Sequence, residues 1–272
     1  MMPAQDLTAR QLLDFYLEAG ADALVGEEAV DRFAAADDPT PARVTRTPLP
    51  AAATADGVRP LSATQQAAPQ ATDEAILAAR EAARSASSLD ELRAVLEKFE
   101  GCALKGSATR LVFADGNPNA KVMLIGDAPG SDDDIEGLPF VGRAGRLLDR
   151  MLAAIGLDRT SVYLANVVPW RPPGNRTPTP QETQICLPFV LRQIELANPD
   201  ILICLGQLSA QALLGTKDSI SKSRGRWFTF TIGEKREIRA MPIFHPDFLL
   251  LSPLQKRIAW RDLLSIKKAL AE

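Results

Sequence analysis

The side chains best suited to chemistry follow apolar stretches in the C-terminal two thirds of the sequence. The loop GDAPGSDDDIEGLPF, at residues 126–140, carries five acids and ends on Phe140. Asn166 ends the apolar stretch VYLAN, and His245, the only histidine in the chain, follows MPIF. A carboxamide can pair with the edge of a planar base, while an aromatic ring can stack on its face. Together these residue types predict a pocket for a planar base.

The acidic loop occupies a position that usually binds phosphate, between an apolar stretch and an amphipathic one. Its carboxylates would repel a phosphate, and neither GK[ST] nor G-x-G-x-x-G occurs in it. No metal-ligand cluster and no Ser-His-Asp or Cys-His arrangement is evident. Cleavage of a glycosidic bond remains, because acids can orient water against an oxocarbenium-like sugar while another group stabilises the departing base. The alternatives are a satisfied, structural His245 and a turn role for Asn166.

These positions require a fold that gathers them at one edge. Apolar stretches alternate with amphipathic ones, which predicts an α/β fold with a mostly parallel central sheet and helices on both faces. Ligands of such sheets bind beyond the carboxyl ends of the strands, where the acidic loop, Asn166 and His245 fall. The predicted strands are KVMLIG, SVYLANVV, ILICLG and REIRAMPIF, and the predicted helices cover 73–100, 143–155, 180–197, 207–215 and 254–269.

The N-terminal part differs in composition from the rest. Residues 1–35 include an amphipathic segment, and residues 36–72 are rich in Ala, Pro, Thr and Gln, with six prolines. Such a composition cannot bury enough apolar surface to offset chain entropy, so 36–72 is predicted to be a disordered linker before a domain at 73–272. The amphipathic segment is either a short helix without partners or a docking peptide for a protein partner.

Charge and cysteine content limit the class of protein. Residues 1–96 hold 8 Lys/Arg and 15 Asp/Glu, whereas residues 97–272 hold 23 and 19, so the second part is the one able to meet a polyanion. Three widely spaced cysteines favour a reducing compartment. No run of 18 apolar residues predicts a membrane span, and the start lacks the pattern of a signal peptide. We expect a cytoplasmic monomer.

Several motifs in order give the sequence a family resemblance. From about Cys102 to the end, it contains GNP-x-A-KVMLIGDAPG, GLPFVG-x-AG-x-LL, NVV followed by RPPGNR-x-P, and FHP-x-x-LL. In these motifs it resembles the family-4 uracil-DNA glycosylases. The resemblance implies a uracil-DNA glycosylase-like fold and a DNA repair enzyme that flips uracil out of DNA and hydrolyses its glycosidic bond. The alternative is a catalytically quiet DNA-binding or polymerase-associated module of the same fold.

The resemblance also assigns roles around the flipped uracil. It implies that Phe140 stacks on the base, that Asn166 pairs with O4 and N3–H, and that His245 donates a hydrogen bond to O2. Asp127 stands where the family usually has Glu. Its side chain and the backbone of Ala128 would contact the base or the attacking water.

A second acid position is implied at Asp133, which would act with Asn175 of the RPPGN stretch. We expect Asp127 and Asp133 to act jointly in catalysis, and the resemblance leaves open which of the two orients the water.

The resemblance implies DNA contacts around this pocket. Leu249, or alternatively Leu250, would insert into the base stack. For either residue, the structural alternative is packing in the protein core. Arg171, Arg224 and Arg226 are candidates for phosphate contacts, and a solvated protein face is the alternative for them.

The family holds a [4Fe–4S] cluster on four cysteines, and here this sequence departs from it. The four positions read Cys102, Lys105, Trp170 and Cys186. Two thiolates cannot complete the usual ligation, so we expect no metal and no cofactor. Lys105 and Trp170 would fill the volume by a salt bridge, a cation–π contact or packing, and the two cysteines should still lie near each other. Cys204 is expected in the core.

Overall fold

The computed structural model describes residues 69–233 and 236–271. The amphipathic segment at 1–35 and most of the predicted linker at 36–72 therefore lie outside the described residues. The first helix of the described residues begins at Pro69, within the last residues of that linker, and proline suits this position because its missing N–H is not needed there. None of the helices in the described ranges is long and apolar enough to cross a membrane.

The longer helices follow the sequence predictions closely. The helix predicted over 73–100 is two helices, because Ser88 caps a new start by accepting a hydrogen bond from the Glu91 N–H. Three short α-helices of the described residues were not predicted. The helices are α1 (Pro69–Ser85), α2 (Leu89–Lys98), α3 (Ser131–Glu136), α4 (Arg143–Ala154), α5 (Pro180–Ala197), α6 (Gln207–Leu214), α7 (Ile220–Ser223), α8 (Pro246–Leu251) and α9 (Lys256–Leu270).

A six-stranded sheet lies at the centre, in the order β1-β3-β2-β4-β6-β5. The four inner strands are parallel, and the edge strands β1 and β5 are antiparallel to their neighbours, so the prediction of a mostly parallel sheet is confirmed. The two edge strands were not predicted. The strands are β1 (Asp115–Gly116), β2 (Val122–Gly126), β3 (Val162–Asn166), β4 (Ile201–Leu205), β5 (Phe228–Ile232) and β6 (Arg236–Ile243).

Helices cover both faces of this sheet, as predicted. Alternate residues of β2 point to opposite faces, because the side-chain period of a strand is two. Met123 and Ile125 pack in a core with α1, α2, α5 and α6. Val122 and Leu124 pack in a second core with α4, α8 and α9. Cys204 on β4 is fully buried in the first core, which confirms its predicted place.

The parallel register brings three chain segments to one edge of the sheet. Gly126, the last residue of β2, lies opposite Asn166, the last residue of β3. On the other side of β2, Leu205 of β4 lies opposite Ile243 of β6, two residues before His245. The loops that follow β2, β3 and β6 therefore meet there.

Candidate active site

A crevice opens at the carboxyl edge of the sheet. It has a volume of about 250 Å³, and an adjoining hollow of about 220 Å³ continues it toward the RPPGNR stretch. Ala128, Asn175 and His245 line both parts. Asp133 and Phe140 line the crevice, and Asp127 lines the adjoining hollow. The structure thus brings together residues that the sequence places up to 118 positions apart.

The Asn166 carboxamide lies beside the Phe140 ring, and Gly126 makes this approach possible. A Cβ atom at Gly126 would lie 2.5 Å from Asn166 Oδ1 and 2.5 Å from the tip of the Phe140 ring, so no other residue fits there. Asn166 is only 4% exposed, and its Nδ2 has no hydrogen-bond partner. Among buried side-chain nitrogen and oxygen atoms of the described residues, it alone is unpaired. A buried unpaired donor costs about 1–3 kcal/mol, which a ligand at this position would recover.

Phe140 is held in an unusual backbone conformation. Its φ of 58° lies in the left-handed region, which is rare for a bulky residue. The Arg159 guanidinium donates to the Phe140 carbonyl oxygen and is itself paired with Asp115 at 2.5 Å and Asp149 at 2.8 Å. Burial lowers the pKa of Arg159, but the hydrogen bonds to the two carboxylates outweigh it and raise the pKa overall. A Cβ at Gly145 would overlap the same carbonyl, so glycine lets α4 approach it.

His245 has one ring nitrogen committed to the backbone. It caps α8, and its Nδ1 accepts a hydrogen bond of 3.2 Å from the Asp247 N–H. An accepting Nδ1 implies that a neutral imidazole carries its proton on Nε2, so that Nε2 remains as a donor. The His245 and Phe140 ring centroids lie 5.9 Å apart. The structure therefore places a ring that can donate a hydrogen bond next to the aromatic ring in the lining of the crevice.

The two acids predicted for catalysis have different surroundings. The Asp133 carboxylate accepts hydrogen bonds from the Gly130 N–H at 3.1 Å and the Val141 N–H at 2.9 Å. It therefore connects the start of α3 with the residue that follows Phe140. Asp127 accepts from the Ser209 N–H at 2.8 Å, at the start of α6. Asp133 is thus fixed inside the crevice, and Asp127 is turned toward a helix N-terminus.

A third acid, Asp134, stabilises the wall behind the crevice. It is buried and accepts hydrogen bonds from Thr109 N–H and Oγ1–H and from the Arg110 N–H. Arg171 lies 3.9 Å from it and donates through Nε to Asn175 Oδ1 at 2.6 Å. Arg171 and Asn175, predicted as a phosphate contact and a supporting residue, are therefore linked to each other at the crevice.

The sequence of the chain is similar to that of a known protein family. The profile of the uracil DNA glycosylase superfamily matches residues 113–264, which contain the crevice and most of the sheet. The chain belongs to this superfamily. Type-4 uracil-DNA glycosylases of Thermotoga maritima and Saccharolobus solfataricus are 42% and 39% identical to it over 156 and 189 residues. These alignments cover 57% and 67% of this chain and 79% and 87% of the relatives.

A different relative places the same segment in a longer protein. A DNA polymerase of Bacillus phage SP01 is 30% identical over 149 residues, which are 54% of this chain and 16% of the polymerase.

The length and identity of the type-4 matches place this chain in the type-4 branch of the uracil-DNA glycosylase superfamily.

The four positions that the family resemblance assigns to cluster ligands do not form a four-thiolate set here. The Cys102 and Cys186 sulfur atoms lie 3.8 Å apart, which confirms their predicted proximity. Trp170 is buried in the same core as both, and Lys105 forms an ion pair of 2.5 Å with Glu100. Within the ranges that the structure describes, no group of three or more His, Cys, Asp or Glu side chains could hold a metal ion. A [4Fe–4S] cluster does not fit these residues, because two of its four thiolates are missing.

The structure corrects the prediction for the DNA wedge. Leu249 is 1% exposed and belongs to the core between α4 and α9, so it cannot enter a base stack. Leu250 is half-buried. The strongly exposed apolar side chains after His245 are Leu251 and Leu254, at 84% and 89%.

Arg224 and Arg226, both predicted to contact phosphates, have unlike surroundings. Arg224 forms a two-bond ion pair with Asp262, which is 3% exposed, so its charge is already matched inside the protein. Arg226 is 61% exposed, pairs with the exposed Asp218 at 3.3 Å and lies over the Phe228 ring. This geometry gives Arg224 a structural role and leaves Arg226 accessible to a phosphate.

Four charged residues around the crevice have no role in the sequence predictions. Asp132, Arg143 and Asp247 line it, and Arg159 supports Phe140. Arg143 and Asp247 had a usable signal, since one begins the helix after the acidic loop and the other lies two residues past His245. Arg159 had none, because its partners lie 10 to 44 residues away in the sequence.

Arg224 and Arg226 form a matched pair for a stability test. Replacing Arg224 with Ala leaves the buried Asp262 carboxylate unpaired, so we expect a loss of about 3 kcal/mol in the free energy of unfolding in urea. Arg226→Ala should leave the urea midpoint nearly unchanged, because an exposed pair contributes little. Equal midpoints for both variants would contradict the structural role of Arg224.

Proposed function

We propose that this protein is a uracil-DNA glycosylase of base excision repair, which flips uracil out of DNA and hydrolyses its N-glycosidic bond to leave an abasic site. The observation that carries the proposal is the buried, unpaired Nδ2 of Asn166, whose carboxamide oxygen and the Phe140 ring both lie against Gly126, in a member of this superfamily. An enzyme that acts on one base must take it out of the stack into such a pocket.

Asn166 selects the base through its edge. Uracil presents an acceptor at O4 and a donor at N3, which match the Nδ2 donor and the Oδ1 acceptor of the carboxamide. Cytosine carries a donor at the corresponding exocyclic position, so it would leave Nδ2 unpaired and set two donors against each other. Phe140 offers its ring for stacking at the same point.

His245 stabilises the leaving base. Breaking the glycosidic bond places negative charge on uracil, and part of that charge develops on O2. The Nε2–H of a neutral His245 would donate to this oxygen while Asp247 N–H holds Nδ1. Donors fixed in advance in a water-poor site are worth more than in water, because they need no reorganisation.

Asp133 is the better candidate to orient the attacking water. It lines the same crevice as Phe140 and His245, and two backbone N–H groups fix its carboxylate. Each oxygen still has a second accepting site for a water molecule. Its charge would also favour the cationic sugar of the transition state. We assign Asp127 to the base-binding loop, which it anchors to α6, and Ala128 of the same loop lines the crevice.

The similarity to a segment of a phage DNA polymerase favours a second candidate function, a catalytically quiet DNA-binding module. A gel assay on an oligonucleotide with a single uracil separates the two. An abasic product supports the glycosylase, and binding without product supports the quiet module.

The protein is also proposed to work without an iron–sulfur cluster and to act in the cytoplasm. Support for the first comes from Lys105 and Trp170, which replace two thiolates, and for the second from three cysteines that form no disulfide. A protein partner for residues 1–35 stays a prediction, since that segment lies outside the described residues.

Replacing Asn166 or His245 with Ala should lower the single-turnover rate of uracil release by about 10²-fold or more, because each change removes a fixed partner of the charged leaving base. Asn119→Ala, in an exposed turn, is the control and should retain the wild-type rate. Wild-type rates in both pocket variants would show that the pocket is assigned wrongly.

Arg159→Lys tests the support of Phe140. Lysine keeps the charge near the two carboxylates but loses the planar fork that also reaches the carbonyl. We expect KM for a uracil oligonucleotide to rise by about 10-fold, with a smaller change in kcat. Arg192→Lys is the control, because Arg192 also joins a carboxylate and a carbonyl but lies on the far side of the sheet. A purely structural role would instead lower the unfolding midpoint and leave KM unchanged.

Iron content tests the cofactor proposal. Protein purified without oxygen should be colourless and should contain far less than one iron per chain, since two thiolates cannot complete the ligation. About four iron atoms per chain would contradict this expectation. The double variant Lys105→Cys and Trp170→Cys, which restores the four-cysteine set, provides a matched comparison.

A further inference from the structure

An apolar hollow, separate from the crevice and from the hollow that adjoins the crevice, lies on the same side of the sheet as α4, α8 and α9. It has a volume of about 220 Å³ and is almost entirely apolar. Trp260 at its edge is 42% exposed, although a large aromatic side chain on a helix normally turns into the core. The other apolar residues of its lining are Leu147, Met151, Ala154, Leu249, Ala259 and Leu263.

Cationic side chains line this hollow or lie next to it on α4. Arg150 and Lys256 line it, and Arg146 is exposed one turn earlier on α4. In the described part of the chain, these three side chains make no hydrogen bond and no ion pair. Neighbouring cations without carboxylate partners repel each other, so this surface favours an anionic partner.

Two helices connect the hollow with the crevice. Arg143, the first residue of α4, lines the crevice, and Arg150 of the same helix lines the hollow. Seven residues of helix span about 10 Å, which corresponds to roughly three nucleotides of a strand that keeps the base-stacked rise of B-form DNA, about 3.4 Å per nucleotide. His245 caps α8 in the crevice, and Leu249 of α8 lines the hollow. A strand with its uracil in the crevice could therefore reach the hollow.

We propose that this hollow is a second nucleotide subsite, which takes the base of an unpaired nucleotide about three positions from the flipped uracil on the same strand. The base stacks on Trp260, and Arg146, Arg150 and Lys256 hold the phosphates between the two sites. This combination of an aromatic platform and a cationic track is how proteins bind single-stranded DNA. The inference rests on the proposed function, because that function places the uracil in the crevice.

The opposite face of the sheet provides a contrast. A larger hollow between α1 and α5 is also lined by arginines, including the exposed Arg80 and Arg84. It lies on the side of the other core, and none of its lining residues lines the crevice. Arg80 and Arg84 therefore serve as a charge-matched control.

The subsite can be located with single-stranded oligonucleotides that carry one uracil and one abasic analogue at successive positions. For the wild-type protein, KM should rise by about 10-fold when the analogue lies two to four positions from the uracil on one side. Trp260→Ala should show the same rise on the intact oligonucleotide and no further rise with the analogue. Trp260→Phe should retain most of the wild-type affinity, because it keeps a stacking ring.

Salt dependence tests the cationic track. Replacing Arg150 and Lys256 with Ala should reduce the slope of log KM against log salt by about 1 to 1.5, since each lost phosphate contact on a single strand removes about 0.7. The double variant Arg80→Ala and Arg84→Ala should keep the wild-type slope.

If the wild-type protein releases uracil but its KM does not depend on the position of the analogue, the subsite is overturned. It is also overturned if the Arg80→Ala and Arg84→Ala double variant loses as much of the slope of log KM against log salt as the Arg150 and Lys256 variant. If the wild-type protein releases no uracil, the proposed function fails first. Fluorescence anisotropy of the same oligonucleotides then tests the subsite independently, with weaker binding at the same analogue positions as the expected result and a flat profile as the contrary one.

Discussion

The parallel pairing of β2 with β3 is the constraint on which the site depends. It sets Gly126 directly opposite Asn166, at a distance that leaves no room for a Cβ. The carboxamide and the Phe140 ring can then approach each other at the end of the sheet. Any side chain at Gly126 would collide with both groups, so the proposed recognition of a base depends directly on the strand register.

The surrounding structure maintains two unfavourable features at this point. Phe140 has a left-handed backbone, and Asn166 keeps a buried nitrogen without a partner. Each costs on the order of 1–3 kcal/mol. Arg159 and Asp133 hold the loop on either side of Phe140 through hydrogen bonds to its backbone and that of Val141. These contacts fix the site without a ligand, and in the proposed function the base supplies the hydrogen bond that Asn166 Nδ2 lacks.

Residues at strand ends could be predicted from sequence, whereas residues whose roles depend on distant partners could not. Strand periodicity and the carboxyl-edge rule located Asn166 and His245, because both follow from local pattern. The sequence analysis predicts DNA contacts for Leu249 and Arg224. The local sequence does not reveal that both side chains are instead held inside the protein. Leu249 packs between helices, and the partner of Arg224 lies 38 residues away. Arg159 was missed for the same reason.

The most direct test of the central claim is a crystal structure of the protein with uracil bound. We predict that Asn166 Nδ2 lies about 3 Å from uracil O4, with the base stacked on the Phe140 ring. Uracil bound elsewhere, or an Asn166 amide that stays unpaired in the complex, would contradict it.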